Sequence, residues 1–299
     1  MDRIETMRVF VTVAEQGGFA PAARRLALSP PAVTRAIAAL EERVGTRLLQ
    51  RTTRVVRLTE AGQRYLVDCQ RILRELEEAD ASASNTHQQA RGPLVISAPL
   101  NFGRLFVAPV VLDFLAAHPQ ISVRTLLADN VLDLIEEGID VAVRIAHLAD
   151  SSLTAVRVGE VRRVVCASPD YLAAHGTPRQ PRDVSAHEAV VFSRDGLQKE
   201  WVFGKGRTLQ RVEVRSQLTA NNADVAIAAA LAGRGLARVL SYQIGPEVRA
   251  GRLKLVLREF EPAPIPVSVV YPAGRRSTVK VTEFVSFAVG RLRAAHWLK

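Results

Sequence analysis

The first 58 residues hold ten arginines, at positions 3, 8, 24, 25, 35, 43, 47, 51, 54 and 57, against five acids at 2, 5, 15, 41 and 42. That stretch carries +5, and the other 241 residues share the remaining +5 of the net +10. A guanidinium group offers five donors in a rigid fork that matches phosphate oxygens and the exposed edge of guanine. A basic module of this density therefore points to a polyanion partner.

Catalytic chemistry has no comparable constellation. The sequence contains no G-x-S-x-G elbow, no H-E-x-x-H helix and no phosphate-binding G-x-x-x-x-G-K-[ST] loop, and its six histidines lack ligand spacing. Two cysteines, Cys69 and Cys166, lie too far apart to form a metal motif and are expected to be ordinary reduced thiols. Gly233-Arg234-Gly235 begins like a dinucleotide fingerprint, but position 238 is arginine and the glycines follow a helix, so they read as a C-cap. No enzyme activity, metal or cofactor is expected. The opening "MDRIETMRVF" is charged, unlike a secretory signal, and no apolar run approaches the ~18 residues of a membrane span. A cytoplasmic protein without a membrane partner follows as the expectation.

Three helices must position the arginines. Ile4, Met7, Val11 and Ala14 recur at helical spacing, with Phe10 and Val13 beside them, until Gly17-Gly18 ends the helix. A short second helix carries Pro21 in its first turn, turns Ala22, Ala23 and Leu26 inward, and leaves Arg24 and Arg25 in water. In "LALSPPAVTRAIAALEERVG", Ser29 is a good N-cap and Pro30 and Pro31 occupy first-turn positions. Val33, Ile37, Leu40 and Val44 form the core stripe of this third helix, opposite a face of Ala32, Arg35, Ala36 and Ala39. A small, flat surface around one arginine suits the major groove of DNA. The following "RLLQRTTRVVRLT" reads as a basic β-hairpin wing, with Arg51, Arg54 and Arg57 placed for phosphates.

These residues resemble the LysR-type transcriptional regulators. The resemblance runs through "MRVFVTVAEQGGFAPAARRLALSPPAVTRAIAALEERVGTRLLQRTTRVVRLTEAG" and continues in "DLIEEGIDVAVRIAHLADSSL", "AALAGRGLARVLSY" and "GRLKLVL". With the resemblance, the DNA-contacting set is Arg24, Ser29, Pro30, Ala32, Val33, Thr34, Arg35, Ala36, Arg51, Arg54 and Arg57. Gly18 and Ala20 stand where the family usually has hydroxyl residues, and Pro30 where glutamine is common. Pro30 has no side-chain donor, so base reading passes to Arg35, Thr34 and Ala32.

Thr59 can cap a helix from about Glu60 to about Gln89, along which Leu66, Cys69, Leu73, Leu76, Asp80 and Ala83 form a short heptad seam. The seam fits a paired helix, or alternatively a helix lying on its own domain. The resemblance implies an antiparallel dimerising linker, a dimer or tetramer, an inverted-repeat operator and RNA polymerase as a further partner. "SNTHQQARGP" is the hinge to the next domain.

From Leu94 onward, apolar runs ("LVISA", "ISVRTLL", "DVAVRI") alternate with helical segments at 104–117 and 131–137, the pattern of an α/β domain with a largely parallel sheet. The resemblance implies two lobes like a periplasmic solute-binding protein, crossing near residue 162 and returning near 267. The fold expected is thus α/β overall: a winged helix-turn-helix over 1–59, a linker helix over 60–90 and a two-lobed regulatory domain over 91–299. Lobe I spans about 91–161 and 267–299, and lobe II about 162–266.

Ligands of such sheets gather beyond strand carboxyl ends and at helix N-termini, where free N–H groups favour anions. Pro99, Leu100, Asn101 and Phe102, then Asp129 and Asn130, then Thr219, Asn221 and Asn222 occupy such places, with Phe192 and Trp201 available to line a cleft. Asn221-Asn222 also fits a helix cap and Asn101 a turn. The reading is a sequence-specific regulator controlled by a small carboxylate-bearing or aromatic effector. A non-specific architectural DNA binder and a periplasmic-type solute-binding protein are the alternatives; the first leaves the two-lobed domain idle, the second the basic module.

Overall fold

The computed structural model describes residues 1–51, 56–83, 90–148, 153–193, 200–273 and 278–295. Helix α1 (Arg3–Gln16) starts with a reciprocal capping box: Asp2 accepts from the Glu5 N–H at 2.7 Å, and Glu5 accepts from the Asp2 N–H at 2.9 Å. Helices α2 (Phe19–Arg25) and α3 (Pro30–Val44) follow, with Ser29 accepting from the Ala32 N–H at 3.3 Å as the cap of α3. Met7, Phe10, Val13, Ala22, Ala23, Ile37 and Leu40 close one core. Each large side chain in it contributes roughly 1.5–3 kcal/mol by leaving water.

The core stripe of α3 is Val33, Ala36, Ile37 and Leu40, all at most 4% exposed. Ala36 lies three residues after Val33 and four before Leu40, so helical geometry turns it inward, against the expectation that it faces out. Val44 instead is 36% exposed, because the helix ends there at Gly45.

Strands β1 (Leu49–Arg51) and β2 (Val56–Leu58) pair antiparallel as the expected wing. Helix α4 (Glu60–Ala83) begins behind Thr59, whose hydroxyl oxygen accepts from the Gly62 N–H at 2.9 Å. A Cβ at Gly62 would lie 1.9 Å from the Leu48 carbonyl oxygen, so only glycine lets α4 leave the wing this closely.

The seam expected along α4 is corrected by burial. Cys69 and Leu73 are fully or nearly buried in the core of their own N-terminal domain, and Leu66 packs against it. This stripe satisfies its apolar surface within one chain, so it is not the partner-facing seam. The side chains of Asp80 and Ala83, and the whole of 84–89, lie outside the described residues.

The remaining chain builds two five-stranded sheets. The first has the order β4-β3-β5-β14-β6, from β3 (Gly92–Ala98), β4 (Ile121–Leu127), β5 (Val141–Ile145), β6 (Leu153–Val161) and β14 (Ile265–Pro272). The second has the order β11-β8-β12-β7-β13, from β7 (Arg163–Ala167), β8 (Glu188–Phe192), β11 (Arg215–Ala220), β12 (Leu236–Leu240) and β13 (Lys254–Val256). A separate hairpin joins β9 (Glu200–Phe203) to β10 (Gln210–Glu213). The chain passes between sheets at Arg162 and returns at β14. Both large sheets are mixed, correcting the largely parallel expectation: β14 enters the first antiparallel to β5 and β6, and β7 enters the second antiparallel to β12 and β13.

In lobe I, helices α5 (Leu100–Phe102) and α6 (Ala108–Ala117) are joined through a π turn over Gly103–Val107, and α10 (Val279–Ala294) lies beside them. The stretch Leu100–Ala117 reaches the length and hydropathy of a membrane span, contrary to expectation. Phe102, Val107, Val110, Val111 and Phe114 bury one side of it in the lobe I core. Residues 131–137 form no helix: the Asp133 carboxylate accepts from the Ile135 and Glu136 N–H groups at 2.7 and 3.0 Å, fixing a turn whose Leu134 is buried. Lobe II carries α7 (Pro169–His175), α8 (Ala223–Leu231) and α9 (Gly245–Arg249). Ala232 is the C-cap of α8, and Gly233, at φ +69°, follows it as the left-handed residue of the turn, one position beyond the C-cap expected.

Candidate functional site

Two places bring the singled-out residues together. The first is the exposed side of α3. Arg35 projects from it, and among the described residues it makes no hydrogen bond or ion pair. Pro30, Pro31, Ala38 and Ala39 are exposed around it, and Ala32 and Thr34 partly so. The Thr34 hydroxyl donates to the Pro30 carbonyl at 3.0 Å, which leaves it an acceptor towards a base. Ser29 is spent as the cap, through an oxygen that can still donate outward. Arg24 on α2 and Arg57 on β2 are exposed and unpaired in the same way.

Val33 and Ala36, placed with the DNA-contacting set by sequence, are 0% and 4% exposed and cannot touch a nucleic acid without unfolding α3. Arg51 is described through its backbone only, and Arg54 lies outside the described residues.

One residue that sequence reasoning passed over joins this surface to its support. The Glu41 carboxylate, near the C-terminal end of α3, accepts from the Leu48 and Leu49 N–H groups at 2.8 and 3.0 Å. The start of the wing is thereby fixed to the helix that would read bases. Nothing in a run of "EER" distinguishes this glutamate from a solvated one, because its partners are backbone groups seven and eight residues on.

The second place lies between the lobes. The Leu100 N–H donates to Asp129 at 3.0 Å, which joins the first two predicted segments. The Asn101 amide donates to Asp224 at 3.2 Å, and Arg104 lies 3.6 Å from the same carboxylate, which joins them to the first turn of α8. Tyr242 packs edge-on against Phe102 and Phe106, with centroids 5.3 and 5.9 Å apart. Burial, reinforced by the nearby Asp129 carboxylate, pushes its phenol well above the ordinary range, so it stays neutral.

Several expectations change here. Phe102 is fully buried and supports the site from within the lobe I core, and Trp201 likewise belongs to the core of lobe II. Phe192 packs on the helix-covered side of the second sheet. Asn222 caps α8 by accepting from the Asp224 N–H at 2.7 Å. Pro99 is half-buried, and Asn130, Thr219 and Asn221 are exposed near the same strand ends. The N–H groups of Leu100 and Asp224, which would favour an anion, already donate to the chain's own Asp129 and Asn222. Asp224 itself carried no signal in the sequence, since an acid in the first turn of a helix is ordinary.

Comparison with known proteins identifies the two parts of the chain that carry these places. The family model for the LysR substrate binding domain matches residues 87–293, and that for the bacterial regulatory helix-turn-helix protein, lysR family, matches residues 4–63. An HTH-type transcriptional regulator of Haemophilus influenzae, itself uncharacterized, is 35% identical over 282 residues, spanning 94% of this chain and 98% of that protein. The solved structure of CrgA, a LysR-type transcriptional regulator from Neisseria meningitidis, is 30% identical with a TM-score of 0.61, covering 96% of this chain and 98% of that one. The full-length structure of AphB, a virulence activator of Vibrio cholerae, is 26% identical with a TM-score of 0.63, covering 97% and 99%. With a LysR substrate binding domain over residues 87–293, a lysR-family helix-turn-helix over 4–63 and a relative 35% identical along nearly the whole of both chains, the chain belongs to the LysR-type family of bacterial transcriptional regulators.

Proposed function

We propose that this regulator binds an inverted-repeat operator through two copies of residues 1–59, with Arg35 reading a base edge in the major groove. The observation that carries the reading is an unpaired, exposed Arg35 among small residues on a capped helix. A guanidinium there reaches guanine O6 and N7 without a bulky neighbour holding the backbones apart. Thr34 and Ala32 contact adjacent base edges, while Arg24, Arg51, Arg54 and Arg57 hold phosphates and Ser29 and Pro30 set the entry of the helix.

Residues 60–90 join the copies into a dimer, two of which can form a tetramer. Because Cys69 and Leu73 face their own domain, pairing uses the outward side of α4, where Val67 is 38% exposed. Residues 91–299 form the regulatory domain, with a small effector between the lobes near Asn101, Asp129 and Asp224. Closure around the effector shifts the spacing of the paired DNA-binding modules and so the contact with RNA polymerase. The protein acts in the cytoplasm, where its DNA lies.

Selection of genomic fragments with purified full-length protein at near-physiological salt tests the reading. Enrichment of a short inverted repeat near promoters is expected. Uniform recovery of fragments, with and without small-molecule extracts, would support the non-specific architectural alternative instead.

A further inference from the structure

Lobe II contains two guanidinium groups that the regulatory reading does not use. Arg238 lies on β12 and Arg163 on β7, and the pairing of Arg238 with Val165 and of Leu240 with Arg163 places both arginines on one face of the sheet as diagonal neighbours. That face is the one covered by Trp201 and Phe203 of the β9-β10 hairpin. Arg238 is 8% exposed. One of its terminal nitrogens, Nη2, donates to the Val202 carbonyl at 2.8 Å, and its guanidinium carbon lies 5.6 Å from the centre of the Phe203 ring.

The other terminal nitrogen, Nη1, is buried and, among the described residues, has no acceptor. Arg163 is half-buried and, among the described residues, makes no hydrogen bond or ion pair. A buried guanidinium beside a half-buried one, with no carboxylate paired to either among the described residues, is costly, since neither desolvation nor mutual repulsion is offset. The strain shows in their acidities: burial, with the charge of Arg163 added, pulls Arg238 down to about 9, and burial lowers Arg163 too. The neighbouring Arg162 differs, because the Glu261 carboxylate accepts from it at 2.8 and 3.0 Å.

We propose that Arg163 and Arg238 form a binding site in lobe II for a small organic carboxylate, which enters past half-exposed Arg163 and accepts from the orphaned Nη1 of Arg238. A carboxylate fits better than phosphate, because a singly charged planar group matches the guanidinium fork and sheds less hydration beside the apolar Trp201 and Phe203 that cover this face. The site is separate from the segments at Asn101, Asp129 and Asp224 and does not depend on how DNA is read.

The test is calorimetric titration of full-length protein, without DNA, using acetate, benzoate and inorganic phosphate as probes, with thermal unfolding followed in parallel. Benzoate or acetate is expected to bind and to raise the melting temperature. Arg163→Met should weaken that binding about ten- to a hundredfold, as the loss of charge-assisted hydrogen bonds does, while the unliganded melting temperature stays or rises because a repulsive charge is gone. Arg238→Met should also abolish binding; should it fail to fold, Arg163→Met alone carries the test. No binding of any probe, binding of phosphate alone, or carboxylate binding unchanged in Arg163→Met would overturn the assignment. A failure here would leave operator binding untouched, and the reverse.

Discussion

Replacing Glu41 should loosen the wing without touching DNA directly. Its carboxylate accepts two backbone N–H groups, Leu48 at 2.8 Å and Leu49 at 3.0 Å, and both leucines are at most 3% exposed. A buried N–H left unpaired costs roughly 1–3 kcal/mol, and a hydrogen bond to a charged acceptor is stronger than a neutral one. Partial access of water on the Glu41 side lowers the sum for Glu41→Ala to about 2–3 kcal/mol. Glu41→Gln keeps a carbonyl oxygen in place and loses only the charge assistance, on the order of 1 kcal/mol. Amide hydrogen exchange on the full chain reads this locally, because opening of the wing sets the exchange of Leu48 and Leu49. Glu41→Ala should speed exchange in this segment about thirty- to 150-fold and Glu41→Gln about fivefold, with little change in lobe II. Equal effects of the two variants, or exchange unchanged in Glu41→Ala, would refute the idea that this carboxylate holds the wing.

Two further outcomes follow from buried groups in the structure. The Tyr171 hydroxyl lies 3.2 Å from His187 Nδ1, and burial with the nearby charge of His175 holds the His187 imidazole below its usual 6.5. A lowered folded value means the unfolded chain takes the proton more readily. Stability is therefore present above pH 6.5 and lost as pH falls below it, and the loss should be smaller in His187→Asn when melting temperatures are compared across pH. Burial pushes Cys166 up to about 12 and Cys69 up to about 11, so both thiols stay protonated. Alkylation of native protein at mildly alkaline pH should leave both intact, whereas denaturant should expose both; rapid native labelling of either would contradict the packing described here.

The local rules were legible where the chain obeyed them. Ser29 before two prolines marked the start of α3, Gly17-Gly18 the end of α1, and the alternation of β3 to β5 with intervening segments the α/β domain. What could not be read were relations set by distant parts of the chain. The stripe at Leu66, Cys69 and Leu73 has helical spacing whether it meets another copy or its own α1, and only the tertiary fold decides between them. The antiparallel entry of β7 and β14 depends on where the chain changes lobes, which apolar runs do not encode. Ala36 is ambiguous for a simpler reason: alanine suits either side of a helix, and only the three-and-four spacing from Val33 and Leu40 turns it inward. Asn101 and Asp129 were partly visible as strand-end polar residues, whereas the approach of Asp224 needed the tertiary fold and the arginine pair on β7 and β12 needed the register.

The most direct test of the account compares Arg35→Ala with Arg57→Ala on a selected operator and on random duplex of the same length, across a range of salt. The account predicts that Arg35→Ala loses about 1–3 kcal/mol on the operator, relaxes preference at one base pair and hardly changes random binding. Arg57→Ala should weaken both duplexes alike and lower the salt slope by about one unit, as the loss of one phosphate contact does. Equal losses on operator and random duplex for Arg35→Ala would contradict the claim that α3 reads sequence through this guanidinium.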